Sequence, residues 1–180
     1  MIGPANAWNA DLTARAEAVT ALILDVDGVL TDGGIIYAEQ GDELKRFNVQ
    51  DGTGLVLWHL SGFKSAIISG RKSKTVQRRA KEMRVDHLSE GIQKKIEVYE
   101  RLLKRWRLKD AQICVIADDL LELPMIRRAG LAVAVGNAVE EVARACHYQT
   151  ARTGGQGAVR EAINRILEAK GLLSEILATY

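Results

Sequence analysis

The sequence predicts an α/β fold with a central, mostly parallel β-sheet and helices on both of its faces. Short apolar runs typical of buried strands alternate with stretches of helical periodicity along the chain. Connections of this kind between parallel strands are right-handed crossovers, which place the helices against the sheet. The 180 residues are 47% hydrophobic and 27% charged, which is ordinary globular composition. We therefore expect residues 1–180 to form a single domain with a substantial core.

Each element has a local signal. Apolar runs predict strands at residues 21–24, 65–68, 113–117 and 131–135, with a shorter strand at 87–88. Helical spacing predicts helices over residues 10–19, 73–83, 94–106 and 158–170. Pro124 suits the first turn of a further helix, and Gly130 suits the end of that helix.

One segment after the first strand interrupts the alternation. Residues 33–49 have β-rich flanks around Gln40-Gly41-Asp42 and predict a β-hairpin. At the other end of the chain, residues 158–180 are expected to hold the last helix and a tail. The tail contains Leu172, Leu173, Ile176 and Leu177. We expect this apolar tail to be buried against another surface.

Charge and composition exclude several classes of protein. The formal net charge is +2 with a pI near 8.6, too small an excess to indicate a nucleic acid or anionic membrane partner. No run approaches the roughly 20 apolar residues of a membrane-spanning helix, and the N-terminus lacks the features of a secretory signal. The two cysteines and three histidines show no zinc spacing. We expect a soluble, cytoplasmic protein without a structural disulfide.

Polar side chains follow the predicted strands where ligands bind in open parallel sheets. Asp25 and Asp27 follow the first strand, Ser69 follows the next, and Asp118 and Asp119 follow the strand at 113–117. Lys95 begins a helix. Taken singly, each has an ordinary explanation as a turn, a helix cap or a solvated charge. Together they would place acids, a hydroxyl and an ammonium at one edge of the sheet.

This set of groups favours phosphoryl transfer with Mg²⁺, since neighbouring carboxylates repel and a hard cation relieves that repulsion. Asp25 could attack phosphorus to give an aspartyl-phosphate. Asp27 could protonate the leaving oxygen and then activate water. Ser69 and Lys95 could hold the non-bridging phosphoryl oxygens, and Asp118 could complete the metal's ligands.

The motifs DVDGVLTDG, SGR and ADDLLELP, with Lys95 in between, resemble those of the haloacid dehalogenase superfamily of phosphatases. This resemblance, from about Ala21 to Gly171, implies a Rossmann-like fold with Asp25 as nucleophile and Asp27 as general acid and base. It also implies Mg²⁺ held by Asp25, the backbone carbonyl of Asp27, and Asp118. Asp119 would then lie just behind these ligands.

A closer resemblance is to a branch of the superfamily that acts on the phosphate ester of an acidic sugar in lipopolysaccharide synthesis. It rests on FNVQDG, SGRKS and TGGQGAVRE. The substrate-binding residues that it implies are Asn48, Asp51, Gly52, Gly70, Arg71 and Arg79.

The resemblance and the motif spacing also imply an assembly. The intervals from Asp27 to Ser69 and from Lys95 to Asp118 are too short for the cap domain that covers the site in larger members. Neighbouring subunits are therefore expected to complete the site. The family implies a homotetramer with packed hairpins and with C-terminal tails that reach adjacent sites.

Some positions depart from the pattern of that branch and leave alternatives open. Its members usually have a basic residue where Gln50, Val56 and Gln156 stand, Gly where Ala117 stands, and Asp where Glu122 stands. A nine-carbon acidic sugar phosphate or a less acidic sugar phosphate is therefore an alternative substrate. A non-catalytic phosphatase-like module associated with a nucleotide-sugar synthetase is an alternative function. A receiver domain fits poorly, because its acidic pair and its phosphorylated Asp lie on different strands.

Overall fold

The computed structural model describes residues 8–39 and 43–179. The strands are β1 (Ala21–Leu24), β2 (Ile36–Tyr37), β3 (Glu43–Leu44), β4 (Lys64–Ile68), β5 (His87–Ser89), β6 (Ile113–Ala117), β7 (Leu131–Ala134) and β8 (Tyr148–Gln149). Six of them form one sheet in the order β5-β4-β1-β6-β7-β8. All neighbours in this sheet are parallel. The predicted parallel sheet is therefore confirmed.

Helices cover both faces of this sheet. They are α1 (Ala10–Ala18), α2 (Val49–Leu60), α3 (Lys74–Glu82), α4 (Lys95–Trp106), α5 (Leu123–Ile126), α6 (Glu140–Ala145), α7 (Ala158–Ala169) and α8 (Leu173–Leu177). Helices α1, α2, α3 and α7 pack against Leu22 and Leu24 on one face. Helices α4, α5 and α6 pack against Ala21 and Ile23 on the other. The alternation of β1 side chains thus divides the core into two layers.

Local patterns predicted the bounds of most of the longer elements, but not those of α2 (Val49–Leu60), and they did not predict the shortest elements. Helix α6 and strand β8 have six and two residues, too few for a periodicity to be recognised. The role expected for Gly130 is wrong, because α5 ends at Ile126. A Cβ at Gly130 would lie 2.3 Å from the carbonyl oxygen of Ala111. The glycine therefore permits a close approach of two backbone segments.

The predicted hairpin is present, with β2 and β3 paired antiparallel through Ile36 opposite Leu44 and Tyr37 opposite Glu43. Its predicted turn at 40–42 lies outside the described residues. In the described residues, the segment between β1 and β4 holds this hairpin and α2, and no cap domain is inserted there.

The apolar tail folds back on its own chain. Leu172, Leu173 and Ile176 are partly buried against the core layer that contains α2 and α7. Leu177 remains about half exposed. Separately, none of the helices within 8–39 and 43–179 combines the length and hydropathy needed to cross a membrane.

Candidate active site

The register of the sheet brings the predicted polar residues to one edge. Leu24 lies opposite Ile67 of β4 and opposite Ile116 of β6. Asp25, Ser69 and Asp118 therefore follow three adjacent strands within one or two residues of the same level. The prediction that separate segments meet at this edge is confirmed for these strand ends.

A tight turn after β1 directs the chain across the end of the sheet. The backbone N–H groups of Val29, Leu30 and Thr31 all donate to the carbonyl oxygen of Val26, at 3.3, 2.9 and 3.0 Å. Gly28 has a φ of +85°, and a Cβ there would lie 1.9 Å from Oδ2 of Asp118. Only glycine combines this backbone conformation with so close a carboxylate.

Lys95 lies at the centre of the acidic residues. Its side chain is 1% exposed, and its Nζ lies 2.9 Å from Asp25 Oδ1 and 2.5 Å from Glu122 Oε1. Burial works against the charged ammonium, but Asp25 and Glu122 together raise the pKa of Lys95. This lysine is therefore positively charged at neutral pH.

Three carboxylates converge beside this lysine. Ligand oxygens of Asp25, Asp118 and Glu122 all lie within 4.8 Å of one another. Burial raises the pKa of all three carboxyl groups above their usual range. Repulsion adds to the effect, from Asp27 on Asp25 and from Asp25 on both Asp118 and Glu122. For Asp118, burial and the charges of Asp25 and Glu122 raise the pKa to about 7.

These residues fit a divalent cation. Asp118 Oδ1 and Glu122 Oε2 are buried and have no hydrogen-bond partner among the described residues, although buried polar atoms are normally satisfied. When all three carboxyl groups are ionised, their negative charges exceed the positive charge of the one ammonium by two. Clustered carboxylate oxygens are the ligands that Mg²⁺ prefers. Asp25 and Asp118 were predicted metal ligands, whereas Glu122 was not.

Asp27 belongs to a second group of charges. Its carboxylate is paired with Lys45 Nζ, and Lys45 also lies 2.7 Å from Glu43 Oε1. Glu43 Oε2 is in turn 3.3 Å from Arg71 Nη2, whose guanidinium also donates to Tyr37 Oη at 3.2 Å. A continuous chain of contacts thus joins Asp27 to both strands of the hairpin.

Ser69 and Asp119 occupy different environments. Ser69 is buried, and its Oγ accepts a hydrogen bond from the backbone N–H of Arg71 at 3.2 Å. Asp119 is exposed, and its Oδ1 accepts from the N–H of Leu120 at 2.7 Å. Asp119 therefore caps its own 3₁₀ turn, while its charge contributes to the raised pKa of Asp118.

The predicted substrate-binding residues form local contacts of their own. Asn48 caps α2 by accepting from the N–H of Gln50 at 2.7 Å, and its carbonyl oxygen accepts from Arg79 Nη2 at 3.2 Å. A Cβ at Gly52 would lie 2.1 Å from that guanidinium nitrogen, whereas one at Gly70 would be 3.8 Å from the nearest atom. No hydrogen bond or ion pair among the described residues joins Asn48 or Arg79 to Asp25.

Asp51 is 1% exposed. Its carboxylate accepts hydrogen bonds from the backbone N–H groups of Gly157 at 3.2 Å and Arg160 at 2.8 Å. These two hydrogen bonds therefore connect the start of α7 to α2.

Sequence reasoning missed the roles of Lys45 and Glu122. Lys45 lies in the hairpin, distant in sequence from Asp27, and no motif marks it. Glu122 had a signal, because it lies four residues after Asp118, at the end of a 3₁₀ turn and directly before α5. An acid at that spacing can return to the same edge of the sheet.

Comparison with known proteins agrees with this geometry. Residues 64–163 match the sequence profile of the haloacid dehalogenase-like hydrolases. The chain belongs to this family of hydrolases. The match covers more than half of the chain and includes Ser69, Lys95 and Asp118.

Relatives of this hydrolase align along nearly its whole length. The 3-deoxy-D-manno-octulosonate 8-phosphate phosphatase of Escherichia coli K12 is 40% identical over 167 residues, 93% of this chain and 89% of the relative. A probable YrbI-family phosphatase from Pseudomonas syringae has a TM-score of 0.94 at 43% identity, with 96% and 98% of the two chains covered.

A second similar structure contains ligands. It is the 3-deoxy-D-manno-octulosonate 8-phosphate phosphatase of Moraxella catarrhalis, in complex with a magnesium ion, a phosphate ion and KDO. Its TM-score to this hydrolase is 0.91 at 40% identity, with 93% of this chain and 96% of that chain covered.

Proposed function

We propose that this hydrolase is a Mg²⁺-dependent phosphatase whose substrate is 3-deoxy-D-manno-octulosonate 8-phosphate. The observation that supports it most directly is the buried Lys95 between Asp25 and Glu122, beside the unpartnered carboxylate of Asp118. The substrate follows from relatives of that name that are 40% identical over 93% of the chain.

In this proposal Asp25 is the nucleophile. One carboxylate oxygen attacks phosphorus, the bond from phosphorus to the sugar oxygen breaks, and an aspartyl-phosphate forms. Asp27 gives a proton to the departing sugar oxygen. It then removes a proton from the water that attacks the aspartyl-phosphate, which releases inorganic phosphate and regenerates Asp25.

The surrounding residues stabilise the charge that moves during these steps. Lys95, which is charged and already 2.9 Å from Asp25, and the Ser69 hydroxyl hold the non-bridging phosphoryl oxygens. Asp25, the backbone carbonyl of Asp27, and Asp118 would hold Mg²⁺, with Asp119 behind them. A bound Mg²⁺ supplies positive charge beside the transferring phosphoryl group.

We also propose that the protein is a homo-oligomer, and specifically a tetramer assembled through the hairpin. The hairpin and the start of α2 expose Ile36 by 52%, Tyr37 by 66%, Leu44 by 55% and Val49 by 77%. Several large apolar side chains exposed along one short segment are typical of an interaction site. A neighbouring subunit there would also shield the Asp27 side of the site from water.

Phosphate release tests the proposed function directly. We expect turnover of 3-deoxy-D-manno-octulosonate 8-phosphate in Mg²⁺ that is lost in EDTA and recovered when Mg²⁺ is added back. Asp25→Asn and Asp27→Asn should each lower the rate by at least about 100-fold with an unchanged circular dichroism spectrum. Asp11→Asn, in an exposed turn of α1, is the matched control.

Three outcomes would contradict the proposal. Full activity of Asp25→Asn would remove the covalent mechanism. A panel containing neutral hexose phosphates and a nine-carbon acidic sugar phosphate tests the substrate, because faster turnover of either would replace the octulosonate. No metal-dependent turnover of any member would favour a non-catalytic module.

A further inference from the structure

The residue that follows Asp27 is in close contact with two other segments of the chain. One contact is with Asp118, since a Cβ at Gly28 would lie 1.9 Å from Oδ2 of that carboxylate. The other is with Gly154, where a Cβ would lie only 1.6 Å from the carbonyl oxygen of Gly28. Both neighbours therefore limit where Gly28, and the adjoining backbone of Asp27, can lie.

The contact with Gly154 belongs to a loop that precedes α7. We call residues 153–157 the supporting loop and residues 28–32 the catalytic turn. The N–H of Gly155 donates to the carbonyl oxygen of Val29 at 3.0 Å. Gly155 has a φ of +65°, and a Cβ there would lie 2.5 Å from the carbonyl carbon of Thr31. Two consecutive glycines thus let the supporting loop pack backbone to backbone on the catalytic turn.

The catalytic turn also has hydrogen bonds within its own segment. Thr31 Oγ1 accepts from the N–H groups of Gly28 and Gly33, both at 3.3 Å, and donates to the carbonyl oxygen of Val26 at 3.3 Å. Bonds within one segment set its shape. Contacts with the supporting loop contribute to its place in the molecule.

Side chains from other elements anchor the supporting loop. Asn137, in the loop after β7, accepts a hydrogen bond from the N–H of Gly154 at 2.7 Å through its Oδ1. Asp51 of α2 accepts from the N–H of Gly157 at 3.2 Å. Because Gly154 is the residue that contacts Gly28, Asn137 has the more direct connection to the catalytic turn.

The loop of Asn137 is also bonded to the segment that carries Asp118. The N–H of Val139 donates to the carbonyl oxygen of Asp118 at 2.9 Å. Residues 137–139 therefore contact both the backbone of Asp118 and the supporting loop. This short segment connects the proposed metal ligand to the backbone that carries Asp27.

We infer that Asn137 is a positioning residue that, through Gly154 and Gly28, keeps Asp27 aligned with the departing sugar oxygen. The role of Asp27 in this inference rests on the proposed function. Proton transfer needs the two heavy atoms at hydrogen-bond distance, and a displacement of about 1 Å can cost about 100-fold in rate. Asn137 acts through backbone contacts and needs no contact with the substrate.

The test compares a leaving group that needs a proton with one that does not. Phenolate leaves poorly without a proton from Asp27, whereas p-nitrophenolate is a stable anion and leaves without one. Asn137→Ala should therefore lower kcat/KM for phenyl phosphate by about 10- to 100-fold and that for p-nitrophenyl phosphate much less. The ratio of the two should shift in the same direction as in Asp27→Asn.

Asn137→Asp keeps an acceptor oxygen for the N–H of Gly154 and should restore most of the wild-type ratio. Asn9→Ala is the matched control, because Asn9 Oδ1 also accepts one backbone N–H, that of Leu12 at 2.9 Å, at the start of α1. We expect wild-type rates from it. If Asn137→Ala loses activity equally on both aryl phosphates, or keeps full activity on both, the positioning role is overturned.

Amide hydrogen exchange measures the same contact without turnover. Peptides that cover residues 26–33 should exchange faster in Asn137→Ala than in the wild-type protein, by about fivefold or more, because the supporting loop has lost an anchor. Asn9→Ala should leave these peptides unchanged. If the wild-type protein releases no phosphate, the proposed function fails, and exchange still decides whether Asn137 supports the catalytic turn. Equal exchange in Asn137→Ala and wild type would overturn that support.

Discussion

Asp118 is the residue at which the electrostatic cost of the site is most evident. Its carboxylate is crowded against Gly28 and shares a buried space with Asp25 and Glu122. Lys95 compensates Asp25 and Glu122, whereas Asp118 Oδ1 has no partner among the described residues. Burial, together with repulsion from Asp25 and Glu122 that Lys95 offsets only in part, raises the pKa of Asp118 to about 7.

The raised pKa of Asp118 predicts how Mg²⁺ affinity depends on pH. A carboxyl group must lose its proton to bind a metal, so affinity should fall below pH 7 by up to about tenfold per pH unit and level off above it. In the metal-free protein the same shift lowers stability as pH rises from about 4 to 7, since the unfolded state releases that proton more readily. Calorimetry at pH 6 and pH 8 should therefore give weaker binding and more proton release at pH 6.

The matched variant is Asp118→Asn, which cannot release a proton. It should bind Mg²⁺ more weakly at pH 8 and lose most of the pH dependence. A wild-type affinity that is constant between pH 6 and pH 8 would contradict the assignment of Asp118 to the metal.

Lys45 is the described residue that holds the carboxylate of Asp27, and its side chain is 1% exposed. Lys45→Met should lower phosphate release by about 10- to 100-fold, because a displaced general acid loses part of a contribution of about 10² to 10⁴. Lys45→Arg should retain more activity by keeping the ion pair. Initial rates with saturating Mg²⁺ measure the effect.

Lys64→Met is the control for Lys45→Met, since Lys64 forms a more exposed ion pair with Asp86. Its rate should stay within about twofold of wild type, because such pairs contribute little. If Lys45→Met were equally active, the hairpin would have no role in placing Asp27.

At the scale of the elements, the site depends on how α7 begins. The N-cap of α7 is Gly157, which offers no capping side chain. Asp51, from the first turn of α2, supplies the missing acceptor across the two helices. Helix α2 and helix α7 are thereby fixed to each other beside the catalytic turn.

Asp51→Ala should lower the free energy of unfolding by about 1–3 kcal/mol, since two buried N–H groups lose their acceptor. Asp51→Asn keeps one acceptor oxygen and should lose less. Chemical denaturation measures both variants, and Asp11→Ala in an exposed ion pair should change stability by less than about 1 kcal/mol.

The same pair of variants tests whether Asp51 binds substrate, as the family resemblance implies. A capping role predicts an Asp51→Asn enzyme with nearly normal KM once folded. A large rise in KM without loss of stability would instead favour direct contact with substrate.

At the scale of the whole molecule, one six-stranded sheet takes elements from both halves of the chain, and two core layers cover its faces. We propose on this basis that the chain folds as a single domain. The described part of the hairpin forms a separate two-stranded sheet with exposed apolar side chains. It is therefore the natural place for a contact with another subunit.

Ile36→Lys should reduce the size of the assembly, because it places a charge in the proposed apolar contact. Sedimentation velocity should give a species larger than the 19.8 kDa chain for the wild-type protein and a smaller one for this variant. Leu60→Lys, at an exposed position of similar size at the end of α2, should assemble normally. A monomeric wild-type protein would contradict the oligomer.

Some strands and site residues could be predicted from the sequence, and others could not. Strands β1, β6 and β7 are continuous apolar runs, and β4 ends in one, because both faces of the sheet are covered. Such runs are visible without a structure. The residues Asp25, Asp118 and Lys95 were predictable because parallel strands end at one edge. Lys45 was not, since its partner Asp27 is distant in sequence, and Glu122 was marked only by its spacing from Asp118.

The sequence by itself determined the parallel sheet, the edge at which the acids meet and the family of hydrolases to which the chain belongs. Local periodicity and the order of the motifs contain this information, because both are properties of short segments. Only the tertiary structure decided that Lys45 holds Asp27, that Asp51 caps a helix, and that Arg152 lies beside Gln50. These are contacts between segments as far as about 100 residues apart, and packing alone brings them together.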